Sequence, residues 1–271
     1  MVFIDKMRQH LPLIQLVIFL SVLLLFQLKL YTFAFLIAFA LILYLVCTSQ
    51  QDRVFAWCIP AYLIGSLLLM YGDRLMDEVP FQPFILTILN RFLLIIPILL
   101  LFYVSKKFNN TANQYWQKPD WNARIYFPFI WRGFHSLSAK QFLLAALLLN
   151  FLFMSPNIFS VKIPFQINFF VFLIGFSLVN GIFEELLWRG ILLSRMTDLA
   201  GERASVIFSG ISFGFSHLML GYSFAACLLF ALGGIYYGAL TVKTGSILPA
   251  VIWHFALNTL MILSGIIPYI N

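Results

Sequence analysis

The chain has 271 residues, 62% of them hydrophobic and only 10% charged, with a mean hydropathy of +0.95. That composition excludes an ordinary soluble domain and implies an integral membrane protein. The net charge of +7 is spread between apolar runs and forms no compact basic patch, so it points to membrane orientation and not to a nucleic-acid partner.

Lys6 and Arg8 precede an apolar run that starts at Leu11, as in a signal peptide. The run is too long for a signal core and a second follows at once, so it reads as an uncleaved first span. The expected spans are Leu11 to Leu28, Tyr31 to Cys47, Val54 to Tyr71, Phe84 to Val104 and Phe142 to Phe159. Four more run from Phe165 to about Arg195, Glu202 to Leu220, Tyr222 to Val242 and Ile247 to Pro268. The runs are continuous and lack the alternation of a membrane β-barrel. The fold class is therefore all-α: a polytopic transmembrane helix bundle of about nine spans, eight being the other possible count.

With the N-terminus in the cytosol, thirteen of the 17 Lys and Arg fall on that side. Only Lys29, Arg74 and Lys162 fall outside, and Arg91 lies within a span. This asymmetry favours an N-in, C-out arrangement. The longest connection, Ser105 to Gln141, combines Lys106 and Lys107 with Trp116, Trp121, Tyr126, Phe127, Trp131 and Phe134. Rings and cations together suit the headgroup layer, either as an elbow joining two bundles or as a surface for substrate. The Asn109-Asn110-Thr111 sequon falls in this cytosolic loop and is set aside. A boundary near Gln141 divides a four-span part, 1–141, from a five-span part, 142–271. Cys47, Cys58 and Cys227 all lie in apolar runs and give no disulfide framework.

The chemistry concentrates in the second part. Glu184, Glu185 and Arg189 close a long apolar run, where each charge is costly unless it faces a packed interior or a wet cavity. His217 follows on another apolar stretch, and His254 with Asn258 on the last. The turn between the sixth and seventh spans centres on Ala200-Gly201. Glu184 lies seventeen residues before Gly201 and His217 sixteen after it, so antiparallel helices bring both to one depth. His254 enters its span from the same side. Glu185 and Arg189 are i,i+4 and can pair. Glu184 is turned roughly 100° from Glu185, so the two carboxylates should serve different jobs. His254 and Asn258 present two donors along one stripe. Gly210, Gly214, Gly233, Gly234 and Gly238 allow neighbouring backbones to approach.

Each group also has a plain structural reading. A buried His can simply bond helices together, a Glu-Arg pair can be structural, and His254 with Asn258 can stitch two helices. Arg91, beside Asn90, reads as structural or snorkelling, or else as a partner for Glu184 or Glu185. That all are structural at once is the weaker account.

Taken in series, Glu184-Glu185-Leu-Leu-Trp-Arg189, Phe213-Gly-Phe-Ser-His217 and His254-Phe-Ala-Leu-Asn258 resemble the three motifs of the CPBP intramembrane proteases, the CAAX-protease and bacteriocin-processing (Abi) family. Gly233, Tyr237-Gly238, Thr244-Gly245-Ser246 and Pro249 also resemble its pattern, so the likeness runs from about Phe142 to Pro268. The resemblance implies peptide-bond hydrolysis within the membrane. Glu184 would be the general base, holding a water with His217. His254 and Asn258 would donate to the oxyanion, and Glu185 and Arg189 would orient the first Glu. A desolvated Glu suits proton transfer from water to a leaving amine, and preorganised donors in a dry site stabilise the oxyanion.

Cofactor use stays open on sequence. A metal-free glutamate mechanism is favoured, since Asn258 is a poor zinc ligand, but Glu184, His217 and His254 could ligate zinc. The expected partners are membrane lipid and a peptide or protein cleaved near the membrane; the family's substrates include prenylated CAAX proteins and bacteriocin leaders. A multi-pass protein of a prokaryotic inner (cytoplasmic) membrane is the expected setting. The competing class is a non-catalytic immunity or binding protein, or a proton-coupled transporter, since buried Glu, Arg and His also relay protons. No inverted repeat supports a transporter.

Overall fold

The computed structural model describes residues 2–45, 50–108 and 114–270, with side chains for all of these except 2–9, 45 and 50–52. Cys47 and the Asn109-Asn110-Thr111 sequon lie outside the described residues, as do the side chains of Lys6 and Arg8. The helices are α1 (Val2–Gln27), α2 (Tyr31–Leu45), α3 (Gln50–Met76), α4 (Pro83–Phe92), α5 (Ile95–Lys107) and α6 (Ala139–Ser160). They continue with α7 (Ile167–Glu185), α8 (Leu193–Ala200), α9 (Glu202–Phe215), α10 (Phe224–Thr244) and α11 (Leu248–Leu263). The fold is the expected all-α membrane helix bundle.

Among the described residues, six stretches are long and apolar enough to cross a bilayer: His10–Gln27, Arg53–Met76, Pro83–Lys107, Ala139–Ser160, Ile167–Ala200 and Phe224–Thr244. Tyr31–Tyr44 and Leu248–Leu263 are shorter apolar helices. This redraws the nine expected spans. The seventh of them, expected to reach Leu220, is α-helical only as α9, whose 14 residues rise about 21 Å against roughly 30 Å of hydrocarbon, with a 3-10 turn at Leu218–Leu220. Pro83–Lys107 is itself broken at Leu93-Leu94 into α4 and α5. Pro97 lacks the N–H that the Leu93 carbonyl would take in a continuous helix.

The chain divides into two compact units. Unit 1 comprises Met1–Leu67, Pro97–Tyr115 and Trp188–Ala239. Its interior holds a run of ring contacts, Phe19 on Tyr62 (5.3 Å), Tyr62 on Trp188 (5.9 Å) and Trp188 on Phe213 (5.9 Å). α8 and α9 meet at Gly201, whose φ of 75° closes the turn as its N–H bonds the Thr197 carbonyl (3.0 Å). α9 lies directly on α10, because a side chain at Gly210 or Gly214 would overlap the backbone of Ile235 or Ala231. Gly234 belongs to the same contact; Gly233, expected with them, has nothing within 4 Å of where a Cβ would stand.

Unit 2 comprises Leu68–Ile96, Trp116–Leu187 and Leu240–Asn271. Phe84, Phe169, Phe172, Leu173, Phe176 and Ile262 form its apolar core, with Tyr269 packed against them. α7 lies between α4 and α11, and α11 also packs on α6. α6 starts with a capping box, in which Ser138 Oγ accepts from the Gln141 N–H (3.3 Å) and Gln141 Oε1 accepts from the Ser138 N–H (3.0 Å). Ahead of it stands an antiparallel hairpin that the sequence reading did not anticipate, β1 (Arg124–Pro128) with β2 (Gly133–Ser138). Phe127, Phe129 and Phe134 are exposed on it, and Lys243 lies 5.9 Å from the Trp131 ring.

Candidate active site

Five of the six residues singled out from sequence are buried: Glu184, Glu185, Arg189, His254 and Asn258. Unit 2 holds four of them. Glu184 and Glu185 end α7, and His254 and Asn258 lie one turn apart on α11. The helices meet closely because Gly181 has no side chain: a Cβ there would stand 3.3 Å from the Phe255 nitrogen. His254 Nδ1 lies 2.8 Å from Glu185 Oε1, and its Nε2 lies 3.6 Å from Glu184 Oε2. Adjacent carboxylates about 100° apart on a helix thus straddle one imidazole and meet its two nitrogens. The expectation that they serve separate jobs is refined: the jobs differ, but the ring is shared.

That geometry assigns hydrogens. A carboxylate can only accept, so Nδ1 carries the proton toward Glu185, and the ring's direction is set by a fully buried acceptor. Nε2 and Glu184 Oε2 are too far apart for a direct bond. Their 3.6 Å separation lets one water oxygen sit about 2.8 Å from both. Glu184 Oε2 has no hydrogen-bond partner, and neither has Asn258 Nδ2 one turn along α11. Each such buried atom costs about 1–3 kcal/mol until something fills its place.

Unit 1 holds Arg189 and His217. Directly after Glu185 the chain forms a π-helix, Leu186–Leu192, which carries Arg189. Arg189 is fully buried. Its guanidinium lies 4.3 Å from the Phe213 ring centroid and 5.1 Å from that of Tyr237, and its Nη2 donates to the Gly234 carbonyl (3.1 Å). These contacts replace water around a cation that would otherwise be costly to bury. Phe213 also meets the His217 ring edge-on at 5.0 Å.

His217 stands just beyond the end of α9, not within a helix as expected, and is half-buried. Its Nδ1 lies 2.9 Å from the Phe213 carbonyl. A carbonyl only accepts, so Nδ1 carries the hydrogen and Nε2 is the acceptor nitrogen of the neutral ring. The Phe213-to-His217 spacing therefore works through the backbone as well as through the rings. Phe230 flanks the imidazole at 4.8 Å. Arg91, in unit 2, lies 5.6 Å from the Phe176 ring, which is its structural reading.

Among the described residues no three His, Cys, Asp or Glu side chains are grouped to hold a metal ion. His254 turns Nδ1 to Glu185 and Nε2 to Glu184. The sequence reading passed over two residues of α7. Ser177 Oγ and Asn180 Oδ1 are buried without hydrogen-bond partners on the turns before Glu184. Their spacing of three and then four residues to Glu184 was the available signal.

Compared with known proteins, residues 166–260 match the family model of the type II CAAX prenyl endopeptidase Rce1-like proteins. That segment contains all six candidate residues. Neither the curated proteins nor the solved structures gave a match.

Proposed function

We propose that this chain, similar over residues 166–260 to the type II CAAX prenyl endopeptidase Rce1-like proteins, hydrolyses a peptide bond of a membrane-embedded or membrane-proximal substrate by a glutamate-activated water. The observation that carries this reading is the His254 ring, fixed by Glu185 on one side and opposed to Glu184 on the other. Glu184 takes a proton from the attacking water as its oxygen bonds the scissile carbonyl carbon. The carbonyl becomes an oxyanion, which accepts from Asn258 Nδ2 and from His254 Nε2–H, the ring between its two carboxylates carrying a hydrogen on both nitrogens. Collapse of this intermediate breaks the C–N bond, and the proton held by Glu184 passes to the leaving amine.

Glu185 acts through His254, holding Nδ1–H so that Nε2 is aimed at the reaction. Arg189 shapes the turn that follows, through Phe213, Tyr237 and the Gly234 carbonyl. His217 is proposed from its motif alone as the second holder of the water. The metal-free form of the mechanism is supported by Asn258, a poor zinc ligand but a good oxyanion donor.

The test is mass spectrometry of products from a library of membrane peptides, using purified wild type and Glu184→Gln with and without a zinc chelator. Cleavage by wild type alone that survives chelation is expected, with the variant slower by about 10²–10⁴. Chelator-sensitive cleavage would replace the glutamate mechanism by a metal one. Equal cleavage by both proteins, or by neither, would overturn the reading.

A further inference from the structure

On α7, Ser177, Asn180 and Glu184 follow one another at helical spacing on a single stripe, and all three are at least nine-tenths buried. On α11 the matching stripe carries His254 and Asn258. The two helices run antiparallel. Gly181 backs onto the main chain of His254 and Phe255, while farther along, Phe169 and Phe172 lie in one core with Ile262. Asn258 falls midway between those contacts and is therefore level with Ser177 and Asn180. Going from Glu184 back along α7, three buried side chains each leave a polar atom without a hydrogen-bond partner: Glu184 Oε2, Asn180 Oδ1 and Ser177 Oγ. Asn258 Nδ2 does the same across from them. Glu184 and Asn258 have tasks in the proposed reaction; Asn180 and Ser177 have none.

We propose that Asn180 and Ser177 form, opposite Asn258, a subsite that hydrogen-bonds the main chain of an unwound substrate segment beside the scissile bond. The inference rests on the protease reading above and adds how substrate is held. A helical substrate must unwind to expose a peptide bond, and in lipid each freed N–H and C=O then needs a new partner. An Asn side chain offers what a peptide group needs, an acceptor for its N–H and a donor for its C=O. Distance along α7 gives the register. Asn180 lies four residues, about 6 Å, from Glu184, and Ser177 seven residues, about 10.5 Å. An extended chain rises about 3.3 Å per residue. Asn180 therefore accepts from an N–H about two residues from the cleaved bond, and Ser177 meets the group about three residues away.

An ester scan tests this on the peptide that the library assay finds best cleaved. Esters replace single peptide N–H groups by oxygen at each of the three positions on either side of the cleavage site. In wild type, one ester about two residues from the bond is expected to lower kcat/KM about tenfold, the worth of one buried hydrogen bond. Asn180→Leu should lower kcat/KM of the all-amide peptide by a similar factor and show no further loss with that ester. The variant should melt no lower than wild type, since it removes an unpartnered polar atom; Asn180→Ala serves in its place should Asn180→Leu fail to fold.

An ester penalty that persists undiminished in the Asn180 variant, or a wild type insensitive to esters at every one of these positions, overturns the subsite while leaving the protease reading standing. If wild type cleaves no peptide, or cleaves no better than Glu184→Gln, the protease reading falls and the subsite falls with it.

Discussion

The pairing of Glu185 with His254 makes the most searching prediction, because two substitutions at one position separate its two effects. Glu185 is fully buried and accepts from Nδ1 at 2.8 Å. In Glu185→Gln an amide oxygen of the same shape can still accept from Nδ1–H, so the ring keeps its direction and only the charge is lost. A charge-assisted bond exceeds a neutral one by about 1 kcal/mol, so kcat should fall roughly fivefold to tenfold with little change in KM. Glu185→Ala removes the acceptor altogether. The ring is then free to turn, and a displacement of about 1 Å at a reacting group costs roughly 10²-fold in rate.

Stability should separate the same pair. The Ala variant leaves a buried N–H without an acceptor, at about 1–3 kcal/mol, and opens a void at a fully buried site. At roughly 2–4 °C per kcal/mol, unfolding in detergent should begin several degrees lower, whereas Glu185→Gln should melt near wild type. Steady-state cleavage of a library-derived peptide and a thermal melt read both quantities. Wild-type kcat and wild-type melting in Glu185→Ala would refute the argument that this carboxylate holds the ring.

Arg189→Lys keeps the charge but not the planar group lying on Phe213 and Tyr237, so it should lower the melting point nearly as far as Arg189→Ala, by about 1–3 kcal/mol; a fully stable Lys variant would show that charge alone matters. Gly214→Ala places a methyl group into the Ala231 backbone, and forcing α9 off α10 should cost about 1–3 kcal/mol, read as a melt. An N-in arrangement puts the connection bearing Trp121 in the cytosol, so a Cys introduced there should resist an impermeant thiol reagent in intact cells and react after lysis.

Sequence disclosed the helices and the residue types of the site better than it disclosed their partners. Glu184, Glu185, His254 and Asn258 stood out because charge and amide are costly inside apolar runs. Which faces meet depends on helix rotation, which no spacing within a single helix reveals. Spacing alone offered Glu185 its i,i+4 neighbour Arg189 as a partner and gave no sign of His254, 69 residues away, whose Nδ1 meets Glu185 Oε1. The π-helix at Leu186–Leu192 shifts every later side chain relative to an α-helical count, and Leu-Leu-Trp-Arg-Gly carries no Pro to announce it, only Gly190. His217 was misplaced for a different reason. Phe213 to His217 has ideal helical spacing, yet the ring bonds the Phe213 carbonyl just past the last turn of α9. The hairpin was missed because Tyr126, Phe127 and Phe134 were read as rings for the interface, when aromatic residues also favour strands.

The unpartnered atoms on α7 and α11 fit the special demands of recognition in lipid. In water a site can draw affinity from burying apolar surface, but an apolar substrate leaving lipid for a protein groove gains little from that, because acyl chains are as apolar as Leu. Hydrogen bonds must then supply much of the selectivity, and groups already satisfied within the enzyme have none to give. Glu184 Oε2, Asn180 Oδ1, Ser177 Oγ and Asn258 Nδ2 are unsatisfied and therefore able to give them. Their cost falls on the resting protein and is recovered when an unwound chain occupies the site. Only the fraction recovered in the transition state, through Glu184 and Asn258, accelerates the reaction. Asn180 and Ser177, farther from the reacting carbon, govern which segment is held long enough to be cut.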